Sequence, residues 1–184
     1  CRAHDLLLGV DEVQTFGRTG ALFAAEHYGL QPPVLWTSRA AIVGITVCVR
    51  EGESRYIPVG HAYLGAPPQL SLDAVLKALR PVLEDPRQRI VGQNIKYDAL
   101  VLSRHGIEIA PIEYDTMVAP YLIDPDKGPH NLATICRDRL GHDMILFEDV
   151  VGRGAKQTTF DQVPVDLARD YSGEDADVVL RLVP

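Results

Sequence analysis

Cysteine is scarce in this 184-residue chain: Cys1, Cys48 and Cys136, with no Cys-x-x-Cys pair. That excludes a disulfide framework and a cysteine zinc site, and it suits a reducing, cytoplasmic setting. Long apolar runs are also missing. None approaches the roughly 20 residues that cross a bilayer, and the first residues do not read as a secretory signal. Positive charge is short, with 18 Lys and Arg against 25 Asp and Glu, a net charge of −7. A broad electrostatic nucleic-acid binder is thereby excluded. An enzyme that gathers carboxylates around cations and meets nucleic acid in a narrow groove is not. The chain has no Gly-x-Ser-x-Gly elbow, and its histidines show no metal-ligand spacing. The loop GRGAKQ, Gly152 to Gln157, lacks P-loop spacing and reads as surface. The first residue is Cys rather than Met, which suggests a fragment of a longer chain.

What is present is ordinary globular composition, 46% apolar and 23% charged, enough for one domain with a core. AIVGITVCV, Ala41 to Val49, is β-branched and apolar. A polar turn and RYIPVGH, Arg55 to His61, follow, so the pair predicts a hairpin. Ser71 to Asp85 carries apolar residues at helical spacing behind a Ser N-cap, with Pro81 as a kink candidate. Arg89 to Asn94 predicts a short strand, and the helix after it is stopped by Gly106. Two short helices follow, then an irregular stretch from Gly141 to Phe160. A closing helix spans Val165 to Val183. Strands mixed with helices predict a mixed sheet with helices packed on it. The composition changes at a Pro-marked seam, Gln31 to Arg39.

Two motifs carry chemistry. In VGQNIKYD a short strand delivers Gln93 and Asn94, then Asp98 at a helix start. Amides beside a carboxylate suit a polar ligand, the carboxylate serving a metal ion. In YSGED, Tyr171 and Asp175 are four apart and share one helix face. A phenol hydroxyl over a carboxylate can orient a water that a metal ion activates. The structural alternatives are a first-turn acid complementing the helix dipole, a core tyrosine and a solvated acidic face.

From about Ala41 to Leu182 the chain resembles the 3′–5′ exonuclease domain of bacterial DNA polymerase I. The matching segments are VGQNIKYDALVLSRHGIEIAPIEYDTM, HNLATICRDRLGH, FEDVVGRGAKQTTFDQV and YSGEDADVVLRL, in that order. The resemblance implies an RNase H-like α/β fold and two-metal cleavage, with Mg²⁺ or Mn²⁺, of terminal phosphodiesters at a single-stranded 3′ DNA end. It implies a polymerase domain C-terminal in the parent chain, and no membrane. It makes Asp98 and Asp175 metal ligands and Tyr171 the residue that positions the attacking water. Gln93, Asn94 and Tyr97 would line the pocket at the strand end.

That family also needs an Asp-x-Glu motif on its first strand, upstream of the Val43-Gly44-Ile45 strand. No Asp or Glu lies between His27 and Arg50. The first strand is therefore expected to be replaced or missing, and activity weak or lost, since two carboxylates are few for Mg²⁺. CRAHDLLLGVDEVQTFGRTGALFAAEHYGLQP, residues 1–32, resembles instead a piece of a class III pyridoxal-phosphate aminotransferase. By that resemblance Asp11 pairs with the pyridine nitrogen and Gln14 lies near the ring. The usual Gly between Thr15 and Phe16 is absent, and so is a nearby Schiff-base Lys, the first being Lys77. A cofactor role is thus disfavoured. The expected organisation is a foreign strand-turn-helix over residues 1–33 and an exonuclease-like domain over 34–184. Asp11 and Glu12 are adjacent and so face opposite sides of a strand. Only one of them, Asp11 being the candidate, could join Asp98 and Asp175.

Overall fold

A computed structural model describes the main chain of residues 6–9 and all of 42–126 and 130–183, apart from the side chain of Ala155. Asp11, Gln14 and the seam at Gln31 to Arg39 lie outside the described residues. Among the described residues, one sheet has the order β3-β2-β1-β4-β5. Its strands are β1 Leu6–Gly9, β2 Gly44–Cys48, β3 Ser54–Pro58, β4 Ile90–Gly92 and β5 Ile112–Asp115. The helices are α1 Leu72–Leu83, α2 Ile95–Arg104, α3 Val118–Ile123, α4 Leu132–Leu140, α5 Phe147–Val151 and α6 Val165–Leu182.

The predicted hairpin forms as β2 and β3, antiparallel from Gly44 opposite Pro58 to Cys48 opposite Ser54. Gly52 supplies the positive φ of the turn, +73°. Gly44 is required by packing. A Cβ there would lie 2.2 Å from the Tyr56 ring on the neighbouring strand. Side chains alternate along β2, so its two faces enter different cores. Ile45 joins Val75, Leu76, Leu83, Ile90, Ile95 and Leu102 beneath α1 and α2. Cys48 joins Val91, Ala176 and Val179 beneath α6. Both faces of the sheet are thus covered, and burial pushes the Cys48 and Cys136 thiols above their ordinary range.

The first strand is replaced rather than missing. β1 runs antiparallel to β2, with Leu7 opposite Cys48 and Gly9 opposite Thr46. It is parallel to β4, with Leu6 opposite Ile90 and Leu7 opposite Val91. The sheet's centre is therefore filled from the segment that resembles an aminotransferase.

The helix ends follow local rules. Ser71 Oγ accepts from Ala74 N at 3.3 Å, and Asn131 Oδ1 from Thr134 N at 2.9 Å. Gly106 and Gly141 follow α2 and α4 with φ of +71° and +64°. α1 continues through Pro81 and ends two residues later. The sequence reading leaves β5 without an element. It is a four-residue edge strand of mixed polarity, and its pairing with β4 is irregular between Ile90 and Val91. The stretch read as irregular also contains a helix, α5, and a 3-10 turn, Gly154–Lys156, and a second turn, Phe160–Gln162, begins at its end.

α6 needs small residues. Ala168, Ser172, Gly173 and Ala176 are all buried, and the helix packs across β1, β2, β3 and β4. A Cβ at Gly173 would meet Ser54 Oγ at 2.8 Å. This close approach sets the height of Tyr171 and Asp175 above the sheet.

Candidate active site

The strand end at Gly92 opens into a cavity of about 770 Å³. Asp98 from α2 and both Tyr171 and Asp175 from α6 line it, together with Gln93, Asn94 and Thr46. The two predicted motifs, far apart in sequence, thus meet at one place. Asp98 is 5% exposed, deep for a carboxylate. Tyr171 is braced by Phe147 and Phe160, each with its ring centroid 6.1 Å away, which limits the phenol's swing.

The link from β4 to α2 is held by a residue that the sequence reading overlooks, Asp115. Its Oδ1 accepts from Asn94 N and Met117 N, each at 2.9 Å, and its Oδ2 from Ile95 N at 3.2 Å. One carboxylate therefore satisfies the open N–H groups at the starts of α2 and α3, and its charge complements both helix dipoles. Asn94 sits there in the left-handed region, φ 54° and ψ 36°, which Asn tolerates better than most residues. The signal that could have found Asp115 is its place directly before a short helix, in YDTM.

Not every predicted side chain serves the cavity in the same way. Gln93 lines it, but its carboxamide is engaged at both ends. Thr116 Oγ1 donates to Oε1 at 2.5 Å, and Nε2 donates to the His130 carbonyl at 3.3 Å. Tyr97 is not part of the lining and packs against the core beneath α1. It lies two residues into α2, on the side turned toward that core, which the motif alone does not reveal. Asn94 and Thr46 line the cavity, and their Oδ1 and Oγ1 atoms are buried with no hydrogen-bond partner among the described residues. Arg153, in the glycine-bearing loop, is paired with Glu148 at 2.9 Å.

This donor set is all oxygen, which matches hard divalent cations. Among the described residues no group of three or more His, Cys, Asp or Glu gathers that could hold a metal.

A family model described as 3′–5′ exonuclease matches residues 29–184. The chain belongs to that family. A class-III aminotransferase model matches residues 1–55, so the two matches overlap over residues 29–55. DNA polymerase I of Pseudomonas aeruginosa is 47% identical over 146 residues, covering 78% of this chain and 16% of that protein. The chain thus spans about a sixth of such relatives. Brucella melitensis NrnC with bound Mg²⁺ superposes with a TM-score of 0.52 at 17% identity, over 77% of this chain and 60% of that one. The POL domain of Pol1 from M. smegmatis, in complex with DNA primer-template and dNTP, gives 0.53 at 18% identity over 76% and 19%. At these identities the structures establish a shared exonuclease-type fold. The strand β1 lies within the aminotransferase match and outside the exonuclease match.

Proposed function

We propose that this chain is a 3′–5′ exonuclease domain that engages the single-stranded 3′ end of DNA and hydrolyses it slowly. The observation that carries the reading is the convergence of Asp98, Tyr171 and Asp175 on one cavity at the end of β4. Asp98 and Asp175 would hold a divalent ion, Mg²⁺ or Mn²⁺, and the relatedness to a Mg²⁺-bound neighbour supports that choice. Such an ion, when bound, stabilises charge on the attacking and leaving oxygens. Tyr171, four residues before Asp175 on the same helix, presents its hydroxyl to a water beside that carboxylate. Asn94 Oδ1, buried and without a hydrogen-bond partner among the described residues, is proposed to accept from a nucleotide hydroxyl or amine. Gln93 and Tyr97 are proposed to join that contact at the strand end. Slow turnover follows from ligand number, because Mg²⁺ demands near-ideal octahedral geometry and two carboxylates anchor it poorly. Asp11 remains the one upstream acid proposed to add to the set. A polymerase domain in the parent chain and a bacterial cytoplasmic setting are supported by the polymerase relatives. Among the described residues no helix is long and apolar enough to cross a membrane.

The test is a 5′-labelled single-stranded oligonucleotide with Mg²⁺ or Mn²⁺. Slow stepwise shortening from the 3′ end is expected, lost in Asp98→Ala and in Asp175→Ala. A second reading, an end-binding module without hydrolysis, is favoured by the shortage of anionic ligands among the described residues. It predicts 3′-end binding in EDTA and no shortening with either ion. Neither binding nor shortening would sink both. An aminotransferase reading would require the protein to retain pyridoxal-phosphate absorbance after gel filtration, and none is expected.

A further inference from the structure

The sheet's middle position raises a question apart from catalysis. The exonuclease match begins at residue 29, yet the strand between β2 and β4 comes from residues 6–9. Without that strand, the facing edges of β2 and β4 would lie unpaired in the middle of the sheet. Ile45, Cys48 and Ile90, which flank the gap, are fully buried. Backbone groups left unsatisfied there would destabilise the fold. The gap has apolar surroundings on both faces, Ile45 and Ile90 on one and Cys48 and Val91 on the other. It therefore suits a continuous apolar run rather than an alternating one. Leu6-Leu7-Leu8-Gly9 is such a run.

We infer that the gap between β2 and β4 is a strand-binding site, one that selects an extended apolar peptide main chain running parallel to β4, and that residues 6–9 are the ligand it holds. The ladder recognises main-chain N–H and C=O groups, which every sequence carries. The demand on side chains is apolar character over four positions. This is why a segment resembling another family fills it. The connection from Gly9 to Gly44 is long, and long connections lower the effective concentration of a tethered strand. A peptide of the same sequence in solution is thus able to take the site when the tethered strand is disabled.

The experiment uses the full chain carrying Leu7→Pro. Leu7 pairs with both Cys48 and Val91, and proline removes the N–H and obstructs the ladder. The expected result is amide exchange faster by on the order of tenfold or more in residues 44–48 and 90–92, with a lower melting temperature. A synthetic peptide of residues 1–12 should restore both in a saturable way, and a scrambled peptide of the same composition should not. Should the proline variant aggregate, Leu7→Gly in the same assay gives the same pattern in weaker form. Unchanged exchange in residues 44–48 and 90–92 in either variant overturns the inference. So does failure of the peptide to restore protection, or equal restoration by the scrambled one. None of these readouts depends on DNA or metal, so the outcome is separate from that of the exonuclease assay.

Discussion

His61 shows how much one buried side chain can constrain. Its Nδ1 lies 2.9 Å from the Val163 carbonyl, which can only accept, so Nδ1 carries the proton. Nε2 must then accept from the Tyr56 hydroxyl at 2.6 Å. Desolvation holds the imidazole below the ordinary histidine range. The unfolded chain takes up this proton as pH falls through about 6.5, the folded protein only at lower pH. The contribution to stability is thus fully present above about pH 6.5 and is lost as pH falls through the folded value. Melting temperatures at pH 7.5 and 5.5 should show a drop for the native chain and a smaller drop for His61→Gln. At this scale the sequence is readable where a motif is local. Asp98, Tyr171 and Asp175 are found because each lies in a short pattern on one helix, and the helices bring them to one cavity. The partners of Gln93 are not readable, because Thr116 and His130 are distant in the chain and meet it only through β5 and the loop before α4.

Among the elements, the starts of α2 and α3 depend jointly on Asp115. Asp115→Ala leaves several N–H groups at two helix starts without their acceptor, and should destabilise by about 1–3 kcal/mol in denaturant unfolding. Asp115→Asn keeps an accepting oxygen and should recover part of that loss. A loss confined to the alanine variant's activity, with stability unchanged, would contradict the assignment. The β2–β3 pairing has a similar single point of dependence. Gly44→Ala places a Cβ into the Tyr56 ring, so about 1–3 kcal/mol of stability should be lost to overpacking. The double variant Gly44→Ala with Tyr56→Ala should show coupling between the two sites in the same unfolding measurement. α1, α2, α4 and α6 were legible from helical spacing and their capping residues. β5 was not, since four residues ending in Tyr-Asp carry no clear alternation and gain strand character only by pairing with β4.

For the whole molecule, the order hairpin, helix, strand, helices, long helix was enough to foresee a mixed sheet with helices packed on it. What it could not supply was the identity of the central strand. Strand pairing over long separations is decided by which edges remain open after the rest has packed, and no local pattern encodes that. α3 stands apart on the outside. Leu122 and Ile123 are 74% and 69% exposed, and no residue of α3 is buried. Ion dependence also belongs to this scale, because the two carboxylates come from different helices. Turnover in Mn²⁺ should exceed that in Mg²⁺, since Mg²⁺ tolerates an incomplete ligand set less well. Equal rates with both ions at saturating concentration would contradict the reduced-site account.

The strand at the sheet's centre has a consequence for recombination. A gene rearranged upstream of β2 can still encode a folded protein, provided the new coding segment brings one short apolar run within reach. On the function proposed above, hydrolysis follows a stricter rule, because an incoming segment must also bring carboxylates in register with Asp98 and Asp175. Folding competence and catalytic competence are thus inherited separately at this position of the chain.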